Sequence, residues 1–325
     1  MIALSPAASA GEGRAAYEEQ VSVEIRQLKH FVSPYRHRSF VLAAEEHEVT
    51  QSALSRSLKK LEAEIGHRLF DRSTHEVQST AAGDALINWA RDVVDAVRAF
   101  SEEASRLAGG AAGHVRIGTG PYPAQPLMTR AVSKLAAEHP GIQVSVVAGT
   151  SKDLLTALVE RKLDFVVCDI SKYDDSPSAE RISVIKLPSE PLVAVMSANR
   201  QLDAADLEEL ARLPWALPTP APFGARDLPR PFSEAFAAGR LPYYQLEATS
   251  ACIELARAGH AITLVPRSLA IEACRNGDLK YHEVPKPLRT NDGIHFVRHR
   301  SRSSVTQNAI EAILEIAKEH AGARS

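Results

Sequence analysis

Cysteine is scarce in this chain, with three residues (Cys168, Cys252 and Cys274) in 325. An odd set without C-x-x-C spacing excludes a disulfide scaffold and a cysteine zinc site. Such usage fits a reducing compartment, and cytoplasmic residence is expected. No run of about 18 apolar residues occurs, so no membrane span is expected. Neither sign of charge dominates, because 38 Lys and Arg stand against 40 Asp and Glu. A nucleic-acid contact must therefore come from a local face and not from bulk charge. Enzyme signatures are missing as well. No G-x-S-x-G elbow, phosphate loop or G-x-G-x-x-G follows a strand-like run, and the twelve histidines form no H-x-x-x-H pair with a third ligand. His295 and His299 are four apart, but they lie in or after strand-like GIHFVRHR, where that spacing makes no face. No metal, cofactor or catalytic residue is expected. The cysteines sit in apolar runs and read as buried structural residues.

What is present is a chain too long for one ordinary core, so two or three globular units are expected. Its 45% hydrophobic and 24% charged content is that of a soluble globular protein. The opening MIALSPAASAGEGRAAYEEQ has no basic n-region and is a poor secretory signal. Residues 1–22 read as a disordered extension. Residues 25–80 are helix-like with short breaks, and 81–109 form one long helical pattern. Gly109, Gly110 and Gly113 mark a linker. Beyond it, strand-like runs (HVRIGTG, IQVSVVAG, LDFVVCD, PLVAVM) alternate with amphipathic stretches, which predicts β-α-β units and a mainly parallel sheet. The proline-rich stretches at 214–222 and 285–287 read as loops.

The densest signal lies in SFVLAAEEHEVTQSALSRSLKKLEAEIG, residues 39–66. Ser39 is placed to cap a short helix, and Ala43 and Ala44 let another helix approach closely. Thr50 is placed to cap a second helix opening at Gln51. In it Leu54, Leu58, Leu61 and Ile65 make a core stripe, and Gly66 ends it. The opposite face carries Ser52, Ser55, Arg56 and Lys59. Two helices on a tight turn, the second with a small polar and basic face, match a helix-turn-helix over about 40–59. Gln and Arg suit adenine and guanine edges, and serines allow close approach to phosphates. A solvated helix pair in an all-α domain shares this periodicity. Local charge does not decide between them, since residues 23–80 hold nine Lys or Arg and eight Asp or Glu. Glu45, Glu46 and Glu48 have to face away from phosphate.

The stretch 25–83 closely resembles the winged helix-turn-helix of LysR-type transcriptional regulators. The residues that carry the likeness are Phe31, Ser39-Phe40, Ala43-Ala44, Gln51, Ala53-Leu54-Ser55, Leu61-Glu62, Gly66, Leu69-Phe70, Arg72, Thr80 and Ala82-Gly83. The resemblance implies that Gln51, Ser52, Ser55 and Arg56, with Lys59 beside them, meet DNA. It implies that Arg72 and His75 sit near the wing. His75 stands where arginine is usual, His47 where an apolar residue is usual, and Ser52 where proline is frequent. Pro34 falls inside the expected first helix and is expected to shorten or kink it.

In residues 81–109, Leu86, Ala90, Val93, Val97, Phe100, Ala104 and Leu107 alternate spacings of four and three, an a/d seam that wants a partner helix. Packing against the chain's own domain is the other reading. The family dimerises through such a helix, which would set two recognition helices on successive half-sites.

Residues 113–310 resemble the family's effector-binding region, less specifically. The resemblance implies two α/β lobes like those of type 2 periplasmic binding proteins, with a ligand in the cleft between them. Expected boundaries are 23–81 for the DNA-binding domain, 82–109 for the connecting helix and 113–320 for the effector domain. Lobe I is placed at 113–188 and 290–320, lobe II at 189–289. Thr150 and Ser151 open a helix after a strand, where unpaired N–H groups favour a small anionic or polar ligand. Tyr122, in the loop after HVRIGTG, and Thr249, opening another helix, face the same cleft if that fold holds. For Thr150 and Thr249 plain helix capping is the alternative.

The expected function is that of a sequence-specific DNA-binding regulator set by a small-molecule effector. The expected partners are double-stranded promoter DNA, further copies of the chain as a dimer or tetramer, and RNA polymerase. The main rival is a solute-binding protein without DNA function, disfavoured by the N-terminal helices. An enzyme built on the α/β domain is a distant third.

Overall fold

The computed structural model describes residues 22–71, 77–107, 113–171, 179–201, 207–219, 228–284, 288–298 and 300–322. The chain divides into a unit up to residue 101, joined by 299–301, and a larger unit holding the rest.

The first unit is built from three short helices, α1 (Ile25–His37), α2 (Phe40–Glu46) and α3 (Gln51–Ile65). A two-stranded ribbon, β1 (Phe70–Asp71) with β2 (Gln78–Ser79), follows, then the long helix α4 (Ala81–Leu107). The caps fall where the sequence puts them. Ser39 Oγ accepts from Leu42 N at 3.3 Å and Thr50 Oγ1 from Ala53 N at 3.2 Å. Gly66 ends α3 at φ 77°, a conformation that favours glycine. Phe31, Ala43, Ala44, Leu54, Leu58 and Leu61 are buried together, and the rings of Phe31 and Phe40 each meet Phe70 edge-on at 5.6 Å. Glu62 is buried beneath the ribbon, and its carboxylate accepts the Leu69 amide at 2.8 Å.

Pro34 does not shorten α1, one of the two outcomes expected of it. The helix runs to His37 and closes with the Arg38 amide donating to the Pro34 carbonyl at 3.0 Å. Pro34 forgoes its own bond to the His30 carbonyl, and its ring is buried in the domain.

The second unit holds two five-stranded sheets. One has the order β4–β3–β5–β12–β6, formed by Gln143–Ala148, His114–Thr119, Phe165–Asp169, Asp292–Val297 and Ile182–Lys186. The other has the order β11–β7–β10–β8–β9, formed by Leu279–Glu283, Leu192–Ser197, Ile262–Pro266, Trp215–Pro218 and Tyr244–Leu246. The chain passes from the first lobe to the second between β6 and β7 and returns between β11 and β12. In each sheet four strands run one way and one is reversed: β12 in the first, β7 in the second. Each reversed strand is the first after a crossing, so the mainly parallel expectation holds with one exception per sheet.

Helices cover the sheets: α5 (Thr129–Glu138) and α6 (Ser151–Val159) on the first, α7 (Leu207–Arg212), α8 (Arg230–Ala237), α9 (Thr249–Arg257) and α10 (Arg267–Ala273) on the second. The final helix α11 (Ser304–Gly322) returns to the first lobe, where Val305, Ala309, Ile310 and Ile313 share a core with Val115, Ile117 and Phe165.

The expected loop at 214–222 is corrected over residues 215–218, which form β8, buried throughout. Trp-Ala-Leu is an apolar run between prolines, and parallel neighbours on both sides supply its ladder; Pro214 precedes the strand and Pro218 ends it, where a missing donor costs least. The loop expected at 285–287 lies outside the described residues.

Candidate functional site

The second helix of the N-terminal pair presents a polar face whose cations are free. Gln51, Ser52, Arg56 and Lys59 are exposed, and Ser55 is half-buried between them. Ser52 Oγ lies 3.0 Å from Thr50 Oγ1, which ties the first turn to its cap. Lys60, one position on, is held by Glu24 at 2.5 Å. Arg56 and Lys59 have no ion-pair partner among the described residues, so their charge is available to an outside anion. The acidic residues before the turn are dealt with locally. Glu46 turns back onto α1, where it accepts from Arg36, Ser33 and His37. Burial pushes its carboxyl up, but these donors outweigh that and hold it at about 2. Arg72 and His75, expected near the wing, lie outside the described residues.

On α4 the exposed apolar stripe keeps Val93, Phe100, Ala104 and Leu107 of the expected seam and departs from it at the start of the helix. Trp89, Phe100 and Leu107 are 72%, 75% and 76% exposed, and Val93 and Ala104 share that face. Leu86 is partly buried against the N-terminal core and Ala90 is only 4% exposed within it, beside Ile87. Val97 is half-buried. The helix thus has two apolar faces at its start, and the reading of one seam merged them. Trp89 was missed because Ala90 fits the heptad equally well.

In the second unit the four candidate effector residues gather round one loop, Gly120–Pro123. Tyr122 is 3% exposed and leaves the first lobe to lie in the core of the second, beside Leu192, Leu217 and Leu264. Its hydroxyl donates to the Leu264 carbonyl at 2.6 Å, and burial keeps it protonated. Thr249 Oγ1 donates to the Pro121 carbonyl at 3.1 Å and is no helix cap, since Ala248 holds that position. Both residues therefore tie lobe to lobe. Thr150 is the cap of α6: its hydroxyl accepts from Asp153 N at 3.2 Å and donates to Asp153 Oδ2 at 2.7 Å. Ser151 acts on the Cys168 thiol, lowering its pKa against the larger effect of burial. A Cβ on Gly120 would come within 3.3 Å of Cys168 Cβ, a tight contact that glycine avoids where the loop approaches that strand.

Three carboxyl groups at the crossings were not singled out in the sequence. Asp292 stands directly across from Asp169 in the β12–β5 register. Burial, then the like charges of Asp169 and Glu190, push the Asp292 carboxyl up to about 7. Burial also raises Glu190, against the Ser268 amide and hydroxyl that donate to it at 2.9 and 3.0 Å. A small hollow of about 30 Å³ of free space opens here, lined among others by Tyr122, Gln125, Glu190, Thr290, Asp292 and His320. These carboxyls oppose the anion that the helix N-termini suggested. The thiols are inert at neutral pH, because burial pushes Cys168 up to about 12 and Cys252 up to about 11. Among the described residues no group of three His, Cys, Asp or Glu is placed to hold a metal.

Residues 25–84 match the family model described as a bacterial regulatory helix-turn-helix protein of the lysR family, and residues 108–322 match the LysR substrate binding domain. The chain belongs to the LysR family. One relative, an SDS degradation transcriptional activation protein of a Pseudomonas species, is 35% identical over 57% of this chain, a match that spans 62% of that protein. The regulator GbpR of Azospirillum brasilense is 27% identical over 90% of this chain and 86% of its own length. Among solved structures, full-length LysG of Corynebacterium glutamicum with bound effector arginine superposes with a TM-score of 0.64 at 20% identity. It covers 91% of this chain and 99% of that one. Full-length OxyR of Pseudomonas aeruginosa gives 0.61 at 18% identity, covering 91% and 95%. These likenesses establish the LysR fold over both units, the N-terminal helix-turn-helix and the two-lobed α/β domain.

Proposed function

We propose that this LysR-family chain is a transcriptional regulator that reads operator DNA with α3, assembles through α4, and responds to a small molecule taken up between its C-terminal lobes. The observation that carries this reading is the α3 face, where capped Gln51 and Ser52 lead a helix whose Arg56 and Lys59 are exposed and unpaired. Such a face fits the major groove, with Gln51 and Arg56 toward base edges and Lys59 toward phosphate. Arg72 and His75 are assigned to the wing on the resemblance.

Assembly uses the stripe Trp89, Val93, Phe100, Ala104 and Leu107, because apolar side chains this exposed mark an interface. Two copies would then present two recognition helices to one operator. The effector site is assigned to the loop at Tyr122 with Thr150, Ser151 and Thr249 around it. An effector acts by binding one arrangement of the lobes better than another, and the Tyr122 and Thr249 contacts are the ones it would rearrange. Its chemistry has to accommodate Asp169 and Asp292. Work on DNA places the protein in the cytoplasm. Among the described residues no helix is long and apolar enough to cross a membrane.

The test is a fluorescence-anisotropy titration of the full-length protein against the DNA upstream of its own gene, with scrambled DNA as competitor. A specific complex whose affinity falls steeply with salt is expected. Equal affinity for both DNAs would leave the N-terminal unit without a sequence-reading role.

A further inference from the structure

The second lobe contains a chamber that the regulatory reading does not use. It offers about 40 Å³ of free space, more than the roughly 10–15 Å³ that one water needs. Its described lining is apolar throughout, with Leu210, Trp215, Phe232, Phe236, Val284 and Leu288 the main contributors. The one polar side-chain atom among them, the indole N–H of Trp215, is already given to the Leu210 carbonyl at 2.8 Å. The neighbouring Tyr122 hydroxyl is likewise spent on Leu264, which itself lines the chamber. Among the described residues no donor or acceptor remains to hold a polar group, so water and ions gain nothing from them, whereas a hydrocarbon loses only its hydration.

We propose that this chamber is a second ligand site that takes the aliphatic chain of a small amphiphile and leaves its head group at the mouth. The position gives such a ligand leverage. Leu264 carries the Tyr122 contact, and Val284 and Leu288 belong to the return crossing to the first lobe. The aliphatic chain packs against two of the links between the lobes.

The chain holds two tryptophans, Trp89 on α4 and Trp215 in the chamber wall. Full-length protein labelled with 5-fluorotryptophan is titrated with 1-butanol, 1-hexanol and 1-octanol and followed by fluorine NMR. The Trp215 resonance should move saturably while the Trp89 resonance stays. Affinity should tighten about fourfold per added methylene, the ordinary gain from burying one. Val284→Phe and Leu288→Phe fill the chamber and should abolish the shift while thermal melts stay cooperative. A still Trp215 resonance, an affinity indifferent to chain length, or undiminished binding in both filled variants would overturn the assignment. If a filled variant unfolds, the chain-length series on unaltered protein decides alone. The titration contains no DNA, so its failure leaves operator binding standing, and failure of operator binding leaves the chamber standing.

Discussion

The Tyr122 hydroxyl meets the Leu264 carbonyl at 2.6 Å, so a loop of the first lobe is anchored in the central strand region of the second, 142 positions away. Tyr122→Phe keeps the ring in its apolar setting and removes only this bond. A net loss of about 0.5–1.5 kcal/mol is expected for one neutral hydrogen bond. Urea unfolding of the full-length protein, read in the transition of the larger unit, would show it as a lower midpoint. An unmoved midpoint would mean that the ring's packing, and not its hydroxyl, joins the lobes.

Arg56→Ala tests the groove assignment. The side chain is exposed and unpaired, so folding should be unaffected. Specific binding should weaken by roughly 1–3 kcal/mol with relaxed base preference at one position. Lys59→Ala should instead weaken all DNA alike and flatten the salt dependence. If the two variants behave the same in the anisotropy titration, Arg56 contacts backbone only.

The two faces of α4 separate association from folding. Val93→Glu with Phe100→Glu places carboxylates in the exposed stripe, and dissociation into folded protomers is expected by light scattering and circular dichroism. Ala90→Glu instead drives a charge into the N-terminal core, where Ala90 packs with Ile87, and should unfold that unit. A normal oligomer in the double variant would place the interface elsewhere.

Asp292 makes a pH prediction. Its folded value, about 7, is above the ordinary carboxyl value of 3.8. The folded state therefore holds the proton more tightly than the unfolded state. Its contribution to stability is fully present below pH 3.8 and is lost as pH rises through 7. Asp292→Asn, which stays neutral, should stabilise the larger unit at pH 8 relative to wild type, and the gap should shrink as the pH falls toward 5. Thermal melts across that range check it. A constant gap would mean that the carboxyl does not titrate there.

The N-terminal unit was the more legible half. Its caps, its leucine stripe and its Gly66 stop are local events, fixed by residues three or four positions apart, and each stands where the sequence puts it. Pro34 misled because its ring is buried in the domain core and the helix runs on through it to His37. Trp89 and Ala90 show the limit of periodicity: adjacent positions on a helix flanked by two apolar environments fit one heptad equally well. In the larger unit, strands could be read, but partners could not. That Tyr122 enters the other lobe, or that Asp292 faces Asp169 across 123 positions of chain, depends on register between distant segments. The sequence marked Thr150 and Thr249 alike, yet one caps its helix and the other spans the lobes.

The return of the chain to its first lobe has a consequence for biosynthesis. β12 lies between β5 and β6, and α11 supplies Val305, Ala309, Ile310 and Ile313 to the core beneath them. The first lobe thus cannot close while the ribosome is still making the second. Until residues near 313 emerge, β5 and β6 each lack the neighbour that separates them, and Ile117 and Phe165 lack the helix that covers them. A nascent chain that stalls after the second lobe carries an open sheet and a bare apolar surface. Such a fragment is a substrate for chaperones and proteases rather than a short-lived regulator.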